Sequence, residues 1–439
     1  MFKKILGTGM TRVMNLLIGF ITMMMGTRVL GPAEWGIGFT ILTDVTFLLI
    51  GIEFLAGSGL VYFTPRKKLS TLMTVSYAWI LMVMALYVLL FWILSYHPVV
   101  FDRIVPKGYE GLTLLLTLVY SFHNFNLNVL LGKEKVGTFN WIFLLQIFVQ
   151  VTTMALLIFV FGFRDAHAFV YSLLCGYSTA FVVGLLFVLP MLRKEGRDPL
   201  LPTAKEMLRY GYVIQLSTLV STLNRRMSIY LIRQHCTEKA VGVYGAGTQV
   251  GEGVKVFGLS ISMVQFSRLS NLTDPKQIVD LTVKFLKITV VLTLLSLLVL
   301  ACLPVGFFEW LFSSEFGQVK QIILLMSPGL LFLSAQMIFS HYFSGTGVPK
   351  YNLYASLTGL AVTIPCTFLL VPTYGIIGAA IAFSCTYTAI MLYQWFAFKR
   401  LTGVHASDLL LTKADWIWCK AEFFAIFAKK MKDDDKRTH

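Results

Sequence analysis

The amino-acid sequence predicts an all-α integral membrane protein of twelve transmembrane helices, and three observations lead there. First, 56% of the 439 residues are hydrophobic and only 13% are charged, with a mean hydropathy of +0.74. That is about half the charge of an ordinary soluble domain, and a soluble fold has nowhere to bury so much apolar surface. Second, the apolar residues come in blocks of roughly twenty, enough at about 1.5 Å per residue to cross a hydrocarbon core of about 30 Å. Without water to satisfy the backbone, such blocks must be helical. Third, the chain repeats itself at a nearly constant interval, which implies two six-helix bundles related by a pseudo-two-fold axis along the membrane normal.

The first block follows Lys3 and Lys4, as in a signal peptide. It runs on to about Leu30 without a small-x-small cleavage site, so it reads as a retained helix over 8–30. The remaining spans are expected at 36–62, 71–96, 110–131, 139–161, 167–192, 209–232, 241–265, 281–305, 321–344, 351–371 and 375–398. These define an N-terminal bundle over 1–194, a linker over 195–208, a C-terminal bundle over 209–400 and a tail over 401–439.

Charge sets the orientation. Twelve spans put both termini on one side, where about 25 Lys and Arg residues gather against roughly seven on the other. The termini are therefore expected in the cytoplasm. The net charge of +15 flanks the apolar blocks instead of forming one basic domain, so it points to anionic membrane lipids and away from nucleic acid. Cys175, Cys236, Cys302, Cys366, Cys385 and Cys419 show no ligand-like spacing, so neither a disulfide framework nor a metal site is expected. No bound cofactor is expected either. The tail mixes Trp416, Trp418 and Phe423 with Lys413, Lys420 and Lys429, the pattern of an interfacial helix.

The repeat is seen twice. Trp35-Gly36-Ile37-Gly38 opens the second span and Val241-Gly242-Val243-Tyr244 opens the eighth, 206 residues later. Gly132-Lys-Glu-Lys-Val-Gly-Thr-Phe-Asn140 between spans four and five is echoed by Gly345-Thr-Gly-Val-Pro-Lys-Tyr-Asn352 between spans ten and eleven.

Ionisable side chains inside spans are costly, which makes them the first candidates for function. On span seven, Gln215, Thr218, Thr222 and Arg225 recur at steps of three and four and form one polar stripe, widened by Ser221, Asn224 and Ser228, with Arg226 adjoining it. Arg225 and Arg226 diverge by about 100°, so snorkelling rescues one more easily than both. Span one offers Arg12 and Asn15 on one face and Arg28 at its outer end; Arg12 either snorkels or lines a vestibule. Glu252 and Lys255 on span eight read as a self-neutralising pair or as a carboxylate and a cation facing an interior. Asp44 and Glu53 on span two lie about 180° apart and cannot face one cavity from a straight helix.

A guanidinium stays charged and grips phosphate oxygens through paired donors, so these cations suit an anionic cargo. Asp44, Glu53 and Glu252 can change protonation and are candidates for coupling to a proton or sodium ion. His123, Asn124, Asn126 and Asn128 on span four are read first as interhelical hydrogen-bonding groups, and Lys284 and Lys287 as headgroup contacts.

Thr27-Arg-Val-Leu-Gly-Pro-Ala-Glu-Trp-Gly36 resembles the segment joining the first two helices of bacterial oligosaccharide flippases in the multidrug/oligosaccharidyl-lipid/polysaccharide exporter superfamily. Asn224-Arg225-Arg226, Ala240-Val-Gly-Val-Tyr244, Gly345–Asn352 and Val371-Pro-Thr-Tyr-Gly-Ile-Ile-Gly-Ala-Ala-Ile-Ala382 extend the resemblance over roughly residues 1–400. It implies a V-shaped pair of bundles around a central cavity, alternating access, and an undecaprenyl-diphosphate-linked oligosaccharide as cargo in the bacterial inner membrane. Other glycan-assembly proteins would be partners. Arg12 and Asn15 stand where drug-exporting relatives often carry a carboxylate, and Met227 and Ser228 leave out an acid that often follows the Asn-x-Arg pattern. The reading is a transporter and not an enzyme. The alternatives are an ion-coupled multidrug exporter and a membrane-embedded glycosyltransferase or polymerase; the isolated carboxylates on short outer loops argue against the latter.

Overall fold

The computed structural model describes residues 14–15, 17–192, 196, 198–256, 258–259, 261–262, 265 and 274–409. Arg12 and the tail beyond residue 409 lie outside them. Among the described residues there is no β-strand. Among the described residues ten long helices carry the fold: α1 (Gly31–Ala56), α2 (Leu69–Ser95), α3 (Glu110–Gly132), α4 (Val136–Phe159), α5 (Ala166–Leu192), α6 (Leu200–His235), α7 (Glu238–Gly253), α8 (Pro275–Cys302), α9 (Val319–Gly345) and α10 (Lys350–Thr402). Eight helical stretches among the described residues are long and apolar enough to cross a membrane. The protein is thus a multi-pass helical membrane protein.

Two of those stretches are hairpins. α10 contains Gly375 at φ 57°, ψ −130°. Thr363 and Thr386, 23 residues apart and on either side of it, lie 2.8 Å from each other through their hydroxyls. A straight helix would hold them about 35 Å apart. The chain therefore folds back at Gly375, where a positive φ favours glycine. Likewise the helical stretch Leu17–Phe63 is broken at Gly31, and Gly26 meets the Trp35 ring across the break.

Two expectations are corrected. The helix expected over 241–265 ends at Gly253, and a turn at Val254 and Lys255 separates it from the helical residues beyond. Glu252 and Lys255 are therefore not an i, i+3 pair on one unbroken helix. The stretch 200–208, expected as linker, forms the first turns of α6 because Thr203 and Met207 bury themselves. Met207 joins Leu55, Leu60, Phe63 and Phe125 in an apolar cluster. A salt bridge between Lys67 and Glu206 at 2.7 Å and the hydrogen bond from the Lys68 amide to Asp198 fasten the same region.

By internal contacts the chain divides into two compact bodies: Met1–Gly253 with Leu300–Met326 and Gly359–Thr386, and Val254–Val299 with Ser327–Thr358 and Tyr387–His439. The second body has its own core of Phe285, Leu286, Ile338, Phe339, Phe343 and Phe398. Its Asn352 donates to the Ser340 carbonyl at 3.0 Å and the Ser344 hydroxyl at 3.1 Å, pinning the start of α10 to the end of α9.

The repeat recurs in backbone geometry. After α3 the amides of Lys133, Glu134 and Lys135 bond the carbonyls of Val129, Leu131 and Leu130; after α9 those of Thr346, Gly347 and Val348 bond Tyr342, Ser344 and Phe343. Every donor and acceptor is displaced by 213 residues. Both are Schellman turns, with Glu134 at φ 57° and Gly347 at φ 77° in the left-handed position.

Within the first body, α1 crosses α7 at Gly36 and Gly242. A Cβ on Gly36 would strike the Glu238 carbonyl, and one on Gly242 would strike the Pro32 carbonyl. Each carbonyl lies four residues before the other helix's glycine, so the contact is reciprocal at an offset of 206. A methyl there must push backbone, at a cost of about 1–3 kcal/mol. Gly36→Ala and Gly242→Ala should each lower the thermal unfolding midpoint in detergent, and the double variant should lose less than the sum because both jam one crossing. Gly137→Ala, which meets nothing within 4 Å, should leave it unchanged.

Candidate functional site

The candidate residues of the first body gather along α6, which lies beside α1. Gly211 on α6 approaches the Phe54 carbonyl on α1 so closely that no side chain fits between them. From there the polar stripe of α6 runs past α1 in the antiparallel sense.

At one end, Gln215, 1% exposed, donates from Nε2 to the Glu53 carbonyl at 3.4 Å. The Glu53 carboxylate turns instead to α3, where Asn124 Nδ2 donates to it at 2.8 Å, and Asn128 donates to Asn124 at 3.3 Å. Asn126 donates to the Phe181 carbonyl on α5 at 3.1 Å, and His123 is buried beside Tyr120 and Tyr177. The amides of α3 thus stitch helices together, and one of them holds a candidate coupling carboxylate.

At the other end, the Tyr230 hydroxyl donates to Asp44 Oδ1 at 2.7 Å. Asp44 is 4% exposed, and among the described residues nothing bonds its Oδ2. A buried carboxylate oxygen without a donor is expensive. Close by, Arg233 Nε donates to Glu238 Oε1 at 2.8 Å and Nη1 to the Ile104 carbonyl at 2.8 Å, its side chain 8% exposed. Asp44 and Glu53 therefore serve different neighbours, as their placement on opposite sides of α1 requires.

Between these ends lie the arginines, both half-buried. The Arg226 guanidinium lies 5.1 Å from the centre of the Phe39 ring on α1, a cation–π contact. Among the described residues no hydrogen-bond or ion-pair partner reaches Arg225. Asn224, next to it, accepts from Thr363 Oγ1 at 3.0 Å within a buried cluster completed by Thr386. Thr222 is buried, and Thr218 bonds the Ile214 carbonyl of its own helix.

The remaining candidates lie elsewhere. Arg28 is exposed, donates to the Trp310 carbonyl and covers the Trp310 ring at 5.5 Å. Asn15 is half-buried near the start of the described residues. Glu252 lies near the end of α7 and Lys255 in the turn that follows it, and each has an interaction partner. Sequence reasoning missed Tyr230, Arg233 and Glu238. The signal was present: 226, 230 and 233 continue the stripe of α6 at steps of four and three.

A family described as polysaccharide biosynthesis protein matches residues 26–321. The capsular polysaccharide biosynthesis protein CapF of Staphylococcus aureus is 23% identical over 200 residues, covering 45% of this chain and 50% of that protein. A Haloferax volcanii protein named "Probable low-salt glycan biosynthesis flippase Agl15" is 20% identical over 221 residues, covering 50% of this chain and 46% of its own. The chain thus spans about half the length of each of these two relatives. The lipid II flippase MurJ in an inward closed conformation shares the fold at a TM-score of 0.72 and 16% identity, covering 97% of this chain and 99% of that one. An inward-facing multidrug resistance transporter of the MATE family does so at 0.64 and 15%, covering 89% and 96%.

The Asn224 cluster makes a structural prediction. Thr363→Val removes one donor from a buried amide and one partner from Thr386, and should cost about 1–3 kcal/mol of stability. Chemical denaturation in micelles should register the loss, while Thr373→Val, exposed and bonded only within its own helix, should match wild type.

Proposed function

Because the chain belongs to the polysaccharide biosynthesis protein family, we propose that it is a flippase that moves undecaprenyl-diphosphate-linked oligosaccharide across the bacterial inner membrane by alternating access. The observation that carries this reading is Arg225: a half-buried arginine ten residues before the end of α6, flanked by Asn224 and Arg226 that are already engaged. The guanidinium keeps its charge in an apolar setting and presents a planar fork of donors to phosphate oxygens. A diphosphate is the part of a lipid-linked glycan that most needs such a group, since its charge would otherwise cross the hydrocarbon unpaired.

In this reading the two six-helix bundles, over 1–194 and 209–400, rock about the cavity while the polyprenyl tail stays in lipid. Arg225 is the principal anchor, with Arg226, Arg12 and Arg28 adding positive field, and Gln215, Thr218, Thr222, Asn224 and Asn15 offering polar walls to the sugar. Both termini face the cytoplasm, and glycan-assembly proteins supply the cargo. The names of CapF and Agl15 support a glycan substrate, and the MurJ-like fold supports a lipid-linked one.

Asp44 is the best placed of the three candidate coupling acids. Its Oδ1 is held by Tyr230 on α6, and its Oδ2 is buried without a donor among the described residues, a lack that a proton or a sodium ion would make good. Binding there would change the charge at the contact between α1 and α6, and so bias one conformation of the transporter over another.

Two measurements in reconstituted vesicles test these assignments. Arg225→Ala should lower apparent affinity for the cognate lipid-linked glycan by about 10- to 100-fold, the worth of a charge-assisted hydrogen bond or two. Arg225→Lys should recover part of the loss; flipping at the wild-type rate and affinity in Arg225→Ala would remove the anchor. Asp44→Asn, which keeps an oxygen for Tyr230, should make flipping insensitive to imposed proton and sodium gradients. An undiminished response to both gradients would take coupling away from Asp44.

A further inference from the structure

The second body holds an open cavity of about 760 Å3 that the proposed transport cycle does not use. One wall is the first half of α8, whose Lys276, Asp280, Lys284 and Lys287 follow at steps of four, four and three and so share a face. The opposite walls come from the end of α9, with Tyr342 and Thr346, and from the end of α10 with the residues after it, Leu401 to Asp408. Lys284 pairs with Asp280 at 2.7 Å, and Asp408 accepts from the His405 amide at 2.8 Å. Three ammonium groups thus face two carboxylates, and both carboxylates have protein donors. Lys276 is exposed at the mouth, whereas Lys287 is only 9% exposed at the deep end. A negative charge entering the cavity would meet Lys287 where water screens least.

The level of this cavity along α8 says what reaches it. Seven residues after Lys287 the same helix exposes Leu294, Leu295, Leu298 and Val299, at 45%, 54%, 51% and 63%. In a membrane helix these large apolar side chains face acyl chains. Lys287 lies about 10 Å before them along the axis and Lys276 about 27 Å before them, the levels of the glycerol backbone and of the headgroups. Ile278, Val279, Val283 and Tyr342 line the same space and offer apolar surface to the glycerol and first methylenes.

From the charge and the depth together we infer that this cavity is a binding site for an anionic phospholipid of the surrounding bilayer, its phosphate held by Lys276, Lys284 and Lys287. The site is independent of the cargo assignment, because every residue in it belongs to the second body and none to the stripe of α6.

Native mass spectrometry of delipidated protein tests it. Phosphatidylglycerol should bind to wild type more tightly than phosphatidylcholine, and Lys276→Gln, Lys284→Gln and Lys287→Gln should each weaken it about fivefold, the worth of one lysine near an anionic surface. Lys133→Gln with Lys135→Gln, remote in sequence and outside the cavity, should leave it unchanged. If Lys287→Gln does not fold, as thermal unfolding in the same detergent will report, the exposed Lys276→Gln decides. Equal affinity for the two lipids, or phosphatidylglycerol binding untouched by the α8 variants, overturns the inference. So does displacement by inorganic phosphate at equal concentration, which would mark a free-anion site, or selective binding of undecaprenyl diphosphate, which would mark a cargo site.

Discussion

The reciprocal crossing of α1 and α7 at Gly36 and Gly242 is the contact on which the arrangement of the first body depends. Each glycine lets the other helix's carbonyl approach to a distance that no side chain permits. That approach fixes α1 against α7 along its first turns, and the equally close passage of Gly211 past Phe54 fixes α1 against α6 farther along. With both ends set, Asp44 has little choice of neighbours. It lies between the two close contacts, and Tyr230 on α6 is the donor that reaches it. In a membrane, where apolar burial does not drive helices together, such backbone-to-backbone packing and a few buried hydrogen bonds must do so. The glycines determine where the charges are.

Much of the fold was legible in the sequence because the bilayer makes hydrophobic length a direct signal. Spans such as 71–96, 110–131, 139–161 and 167–192 correspond to α2, α3, α4 and α5 within a few residues. Hydropathy is a weaker signal where a helix is polar for a reason, and it fails where a break is short. α6 and α7, expected as the spans 209–232 and 241–265, are less apolar than the others, and α6 spends its polar face on Glu53, Asp44 and the Thr363 cluster. The end of α7 at Gly253 follows from a single turn that periodicity does not register. Conversely, Gly31 and Gly375 each let an apolar run turn back on itself without any polar loop. The first turns of α6 fall in the stretch expected as linker: Lys205 and Glu206 are exposed there, while Thr203 and Met207 are buried.

The site was legible as a stripe but not as a set of partners. Steps of three and four along α6 join Gln215, Thr218, Thr222 and Arg225, of which Gln215 and Thr222 are buried and Thr218 and Arg225 half-buried. They could not tell which polar groups would be consumed by the protein. Arg226 spends its charge over Phe39 and Asn224 accepts a threonine hydroxyl, while Arg225, adjacent to both, has neither. That distinction is made by the residues 1.5 Å up the axis and 100° around it meeting different neighbours, and those neighbours come from segments 139 to 187 residues away. Arg28 shows the same limit from the other direction. It was counted with the cavity cations from the outer end of span one, and its guanidinium meets the carbonyl and the ring of Trp310.

The duplication sharpens the meaning of these charges. At the offset of 206 that relates Gly36 to Gly242, the counterparts of Asn224, Arg225 and Arg226 are Ile18, Gly19 and Phe20, and those of Tyr230 and Asp44 are Met24 and Val250. Where the two copies must fold alike, at the helix crossing and at the Schellman turns, they agree to the residue. Where polar groups sit in the interior, they do not. A symmetric scaffold suits a device that must present itself to both faces of a membrane, because matched halves can exchange roles at little difference in energy. A symmetric set of buried charges would add a second desolvation cost without a second ligand to offset it. Each copy therefore carries a polar interior of its own: Asp44, Glu53 and the amides of α3 in the first half, and Gln215, Asn224 and the tyrosine that meets Asp44 in the second. The repeat thus governs the backbone contacts, while the buried charges follow the partners each segment meets.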